Sequence, residues 1–183
     1  MSHRKGGGFP TRTGGGPRLT MRALVQRVTW AEVEAEGEIA GRIEHGLLVY
    51  VGVGTSDTPA DAAWLAEKVV NLRIFDDPQG KLNLSVRDVG GGVLAISNFT
   101  LMGDARKGRR PAFTAAAPFE QARRIHEAFL DALDRQAVRI QTGVFGASMA
   151  VRSQAAGPVN VLIDTSPGTE SKDPGDTGPA QER

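Results

Sequence analysis

Between Met21 and Val53 the chain reads MRALVQRVTWAEVEAEGEIAGRIEHGLLVYVGV, with apolar and polar positions alternating along β-branched-rich runs. Breaks fall at Glu36-Gly37-Glu38 and at His45-Gly46, so the spacing predicts two or three strands joined by hairpins. The period then changes. In SDTPADAAWLAEKVVNLRIF, Thr58 can cap a helix, Pro59 suits its first position and Asp61 favours its positive end, while Leu65, Val69 and Leu72 share a face. A helix from about Pro59 to Asn71 is expected. KLNLSV and GGVLAISNFTL read as further strands, the second fully buried. PFEQARRIHEAFLDALDRQ is a second helix, with Ala122, Ile125, Phe129, Leu130 and Leu133 at helical spacing. VRIQTGVFGASMAVRSQ and GPVNVLIDT complete the core as strands separated by glycine turns. Strands with two helices interposed make an α+β domain of sheet and helices.

Composition divides the 183 residues into a core and two tails. Residues 1–20 carry six glycines, four cations and no acid, and residues 166–183 are equally poor in apolar side chains. Neither stretch can bury enough surface to order itself, so both are expected to be disordered, with one domain over 21–165. Met21, where patterned sequence begins, is a second candidate start. The tails hold six of the 22 cations and four of the 21 acids, which leaves 16 against 17 for residues 21–165. A general nucleic-acid binder has a strong basic excess, so any nucleic-acid contact here should be local. No signal peptide and no apolar run near membrane-spanning length is present, and a cytoplasmic protein with no membrane partner is expected.

The usual reactive groups are scarce. The chain has no cysteine, which excludes disulfides, thiol catalysis and cysteine-ligated zinc. Of three histidines, His3 lies in the first tail, His45 reads as a turn residue, and His126 as a core-edge or solvent position of the second helix. No Ser-His-Asp set, metal-binding pair, Walker loop or dinucleotide fingerprint can be assembled, and neither metal nor cofactor is expected. What stands out is AISNFTLMGDARKGRRP. Here Ser97, Asn98, Phe99 and Thr100 end a buried strand, and Arg106, Lys107, Arg109 and Arg110 crowd the next loop. The cations are either a solvated loop or a clamp on a phosphate backbone. Gly157-Pro158 is either a plain turn or a way to offer bare carbonyls and an unhindered Cα to a ligand. Phe145, flanked by glycines, is a core residue or a platform on which a base stacks.

Taken together and in this order, these pieces resemble the D-aminoacyl-tRNA deacylase family, of the D-tyrosyl-tRNA deacylase type. The likeness runs from Met21 to about Thr165. MRALVQRV resembles the family's first strand, SNFTL stands where the family carries Ser-Gln-Phe-Thr-Leu, and RKGRRPAF and AAAPFEQA match its loop and helix start. TGVFGASM and GPVN correspond to two further motifs. The resemblance implies an antiparallel-rich mixed, barrel-like sheet with two main helices. It implies a homodimer in which Gly157-Pro158, in the cis form, reaches into the partner's pocket as a chirality filter, braced by Arg27. It implies hydrolysis of the ester of D-aminoacyl-tRNA, and of mischarged glycyl-tRNA(Ala), with L-aminoacyl-tRNA rejected and the terminal adenosine's 2′-hydroxyl assisting. On that reading Ser97, Asn98, Phe99 and Thr100 form the catalytic stretch, with backbone N–H groups near Phe99 and Thr100 stabilising the oxyanion. Phe145, Arg106, Lys107, Arg109 and Arg110 would hold the adenosine and the acceptor end. Three positions depart from the family pattern: Asn98 for glutamine, Ala155 for asparagine and Asn160 for threonine. They motivate an alternative, a non-catalytic or altered-specificity relative that binds tRNA or another nucleic acid.

Overall fold

The structure, a computed structural model, describes residues 20–165. Both tails lie outside them. Three strands open the chain: β1 (Arg22–Ala35), β2 (Glu38–Ile43) and β3 (Gly46–Gly52). The first two form the expected hairpin, but the break at His45-Gly46 makes no second one: β3 pairs with β1, over Arg22 to Val28, and not with β2. Helix α1 (Pro59–Asn71) begins where the sequence places it, because Thr58 and Asp61 cap it reciprocally: the Thr58 N–H donates to the Asp61 carboxylate at 2.8 Å. After two short strands, β4 (Phe75–Asp76) and β5 (Leu82–Leu84), come β6 (Gly92–Ser97), α2 (Phe119–Asp134), β7 (Arg139–Thr142) and β8 (Met149–Asp164). The sheet runs β2-β1-β3-β6-β7, antiparallel on one side and parallel from β3 to β7, with β8 antiparallel to β1. Strand β2 also leans on β7, bringing the sheet close to closing into a barrel. At that seam a Cβ on Gly41 would lie 2.7 Å from the Thr142 carbonyl oxygen, so a bare Cα is required.

Successive side chains of the buried strands point to opposite faces and so divide two cores. Leu47, Val49 and Val51 of β3 and Val93 and Ala95 of β6 face both helices, where Leu65, Val69, Phe129 and Leu133 meet them. Leu48, Leu94 and Ile96 point the other way, into the barrel-like interior with Val28, Val33 and Ile43. Two strands differ from expectation. SNFTL does not continue as a strand: β6 stops at Ser97, and Phe99–Met102 form a 3₁₀ turn capped by Asn98. Nor does Gly157-Pro158 separate two strands. Strand β8 runs through it, because β1 pairs on both flanks: Val28 opposes Ala155 and Gln26 opposes Asn160, so Arg27 alone faces Ala156–Val159. The surplus residues bulge outward.

Candidate functional site

The end of β6 opens into a cleft of about 450 Å³. Its floor comes from β3 and β8 (Tyr50, Val151), one wall from α2 (Phe119, Ala122, His126), and the facing wall from the Phe145–Ala147 turn. Ser97, Asn98 and Phe99 form its rim. The walls are held by aromatic contacts: Phe119 and Phe145 meet edge to face with centroids 5.2 Å apart, and the His126 ring lies 5.6 Å from that of Phe145.

At the rim the backbone donors have separate fates. The Asn98 N–H donates to the Val51 carbonyl at 2.7 Å, tying the turn to β3. The Asn98 side chain folds back on its own turn, accepting from the Thr100 N–H at 3.1 Å and from the Thr100 hydroxyl. The Thr100 N–H, expected to serve an oxyanion, is therefore occupied, since the shorter amide reaches its own backbone more readily than the cleft. The Phe99 N–H has no hydrogen-bond partner among the described residues. Thr100 itself is exposed and stands outside the cleft lining.

The other expected site residues divide. Phe145 joins the rim stretch in one cleft. Arg106, Lys107, Arg109 and Arg110 are exposed on the loop beyond the 3₁₀ turn and do not line it. Arg106 turns inward on Asp104, whose carboxylate accepts from Nε at 2.9 Å and from the terminal guanidinium nitrogen at 2.7 Å. These bonds hold the Asp104 carboxyl down to about 2. Gly157 and Pro158 are exposed on the β8 bulge and do not line the cleft of their own chain. The bond between them is cis. Arg27 clamps the bulge: Nε donates to the Ala156 carbonyl at 3.1 Å, and another guanidinium nitrogen donates to the Ile74 carbonyl and to Asp76, both at 3.0 Å.

Of the two placements read for His126, the structure takes the core edge. The residue is 4% exposed and lines the cleft. Burial pushes its imidazole down to about 4, opposed by nearby Glu127. The signal was present in the helical spacing of Ala122, His126, Phe129 and Leu133, which places a histidine on the apolar face.

The family described as D-Tyr-tRNA(Tyr) deacylase matches residues 24–164. The chain belongs to it. This deacylase family is one of hydrolases. The chain is 54% identical to the D-aminoacyl-tRNA deacylase of Syntrophobacter fumaroxidans over 145 residues, covering 79% of this chain and 97% of the relative. It is 50% identical to that of Thermotoga petrophila, covering 80% and 98%. A solved structure described as c-Myc DNA Unwinding Element Binding Protein superposes with a TM-score of 0.74 at 39% identity, covering 80% of this chain and 99% of that one. A probable eukaryotic D-amino acid tRNA deacylase shares the fold, with a TM-score of 0.68 at 17% identity and coverage of 79% and 99%. Of the three positions singled out in the sequence, Asn98 caps the turn, Ala155 pairs with Val28, and Asn160 accepts from the Gln26 amide at 2.9 Å.

Proposed function

We propose that the protein hydrolyses the ester of D-aminoacyl-tRNA, as proofreading in translation, releasing the D-amino acid and tRNA. The observation that carries this reading is the free Phe99 N–H at the rim of an apolar cleft. Attack on the ester carbonyl places negative charge on its oxygen, and an N–H fixed by the turn can donate to it; one such donor is worth roughly 2.7–4 kcal/mol once bound substrate excludes water from the exposed rim. Water adds to the carbonyl carbon, the bond to the ribose oxygen breaks, and that oxygen takes the proton. The nearby 2′-hydroxyl relays it, so no side-chain base is required. Ser97 and Asn98 shape the rim, and Thr100 acts through the turn it shares with Asn98. Phe145 stacks the terminal adenine, while Lys107, Arg109 and Arg110, with Arg106 held back by Asp104, meet the phosphates of the acceptor end.

Selectivity comes from the second subunit of a homodimer. Gly157-Pro158 projects from its own chain and enters the partner's cleft. There bare main chain admits the hydrogen of glycine or of a D-residue and collides with an L side chain. Mischarged glycyl-tRNA(Ala) passes the same gate. The exposed position of the bulge and its grip by Arg27 support this arrangement.

The test has two arms. Purified protein should release D-tyrosine from charged tRNA and leave L-tyrosyl-tRNA intact; unchanged D-tyrosyl-tRNA at micromolar enzyme sinks the reading. Mixing the unselective Gly157→Ala variant with a Phe145 variant that turns over poorly should raise the ratio of D- to L-tyrosyl-tRNA hydrolysis above that of Gly157→Ala alone. Half of the dimers are then mixed, and each holds one intact site. No rise refutes action across the interface. Likeness to a DNA-unwinding-element binding protein favours a second reading, a nucleic-acid binder with relaxed or absent catalysis. Tight, salt-sensitive binding of single-stranded DNA by a chain that leaves D-aminoacyl-tRNA untouched would establish it instead.

A further inference from the structure

Among the buried side-chain nitrogens and oxygens of the described residues, His126 Nδ1 is the one without a hydrogen-bond partner. The residue is 4% exposed, it lines the cleft, and no hydrogen bond to either ring nitrogen is found among the described residues. A buried polar atom left unpaired costs about 1–3 kcal/mol, which the fold accepts without return unless something else supplies the partner. The surroundings say what kind of partner. Phe145 and Phe119 form the aromatic walls, with Ala122 one helical turn before His126. The other polar side chains of the lining are Ser97 and Asn98 at the rim, where the Asn98 amide oxygen is occupied by Thr100, and the hydroxyl of Tyr50. Tyr50 contributes a half-buried ring at the floor.

A cleft lined by aromatic rings with one unpaired buried imidazole suits a heteroaromatic base. The ring faces stack, and one polar edge must find a partner or be buried unsatisfied. Resting on the reading of the cleft as the seat of a terminal adenosine, we propose that His126 reads the polar edge of that adenine, making one hydrogen bond to it. His126 is thus a specificity-determining residue for the nucleotide end of the substrate. Held neutral by burial, the imidazole has one N–H to donate and one nitrogen to accept, and adenine offers both complements.

The experiment compares adenosine 5′-monophosphate with the same nucleotide carrying 4-methylindole, an apolar base of adenine's shape, as competitors of D-tyrosyl-tRNA hydrolysis. Wild-type protein should bind the adenine nucleotide about 5- to 20-fold more tightly. His126→Phe, which keeps the ring and removes both nitrogens, should bind the two alike, raise KM for charged tRNA by a similar factor and leave kcat within about twofold. His126→Asn, which returns an amide near the Nδ1 position, should recover part of the preference. The free His126→Phe protein should melt no lower than wild type, because it loses an unsatisfied buried atom. Three results overturn the inference while the deacylase reading stands: no base preference in wild type, a preference that survives His126→Phe, or lost turnover with a lowered melting point and unchanged KM. Absence of hydrolysis by the wild type removes the deacylase reading itself, and this inference with it.

Discussion

Replacing Gly157 by alanine tests the bulge where its geometry is least forgiving. Gly157 has φ of +118°, which L side chains rarely adopt, and holding a non-glycine residue in such a region costs about 1–3 kcal/mol. A Cβ there would also stand 2.9 Å from Val159 Cγ2 and 3.1 Å from a guanidinium nitrogen of Arg27. Valine is stiff at χ1 and cannot swing aside freely, whereas the arginine tip can. The residue is exposed and belongs to neither core, so the bulge can relieve part of the strain by shifting. Global stability should fall by no more than about 2 kcal/mol, roughly 4–8 °C in Tm for a domain of this size. The relief dislodges the main chain that Arg27 holds, and the ratio of D- to L-tyrosyl-tRNA hydrolysis should drop at least tenfold. Thermal melts and parallel time courses on both charged tRNAs read the two effects separately. Adding Val159→Ala removes the nearest clash and leaves φ unchanged, so the double variant should remain unselective. Full recovery in the double variant would refute the argument from φ, and wild-type selectivity in Gly157→Ala alone would refute the bulge as filter.

The remaining expectations concern the rim, the loop and the buried imidazole. Asn98→Ala removes the cap on the 3₁₀ turn and frees the Thr100 N–H, so stability should fall by about 1 kcal/mol in urea titration, with turnover reduced through a loosened rim; unchanged turnover would show that the turn need not be rigid. Thr100→Ala keeps every backbone donor and should reduce turnover only a fewfold in single-turnover assays, whereas complete loss would make the hydroxyl a nucleophile. Arg109→Ala and Arg110→Ala should each flatten the dependence of log K on log salt by roughly 0.7–0.9 in tRNA binding. Arg106→Ala should do less, since Asp104 already engages that guanidinium. His126 is held at about 4 against an ordinary 6.5, so the unfolded chain takes its proton first. Its contribution is therefore complete above pH 6.5 and fades as pH drops toward 4, by about 2–3 kcal/mol. Denaturant titrations at pH 7 and 4.5 should show this loss, and His126→Phe should lessen it.

Much of this was legible because it is local. Thr58, Pro59 and Asp61 specify the start of α1 within four residues, and the unbroken apolar run GGVLAIS marks β6 as a buried strand. The features that escaped are set by distant partners. The 3₁₀ turn after Ser97 depends on the Val51 carbonyl that receives the Asn98 N–H, a contact made across strands. Gly157-Pro158 reads as a break because nothing nearby reveals that β1 pairs on both sides of it. The cations of the RKGRR loop are adjacent to the rim in sequence, yet they lie outside the cleft, and Arg106 is claimed by Asp104.

The Ala156–Val159 bulge, pinned by the ladder at Ala155 and at Asn160, has a consequence for how this chain can vary. A probe made of peptide groups carries no side chain to be traded, and its position is inherited from two neighbouring strands. On the proposed reading, substitutions at 155 and 160 that keep the pairing with β1 should leave the bulge in place, whatever side chains they bring.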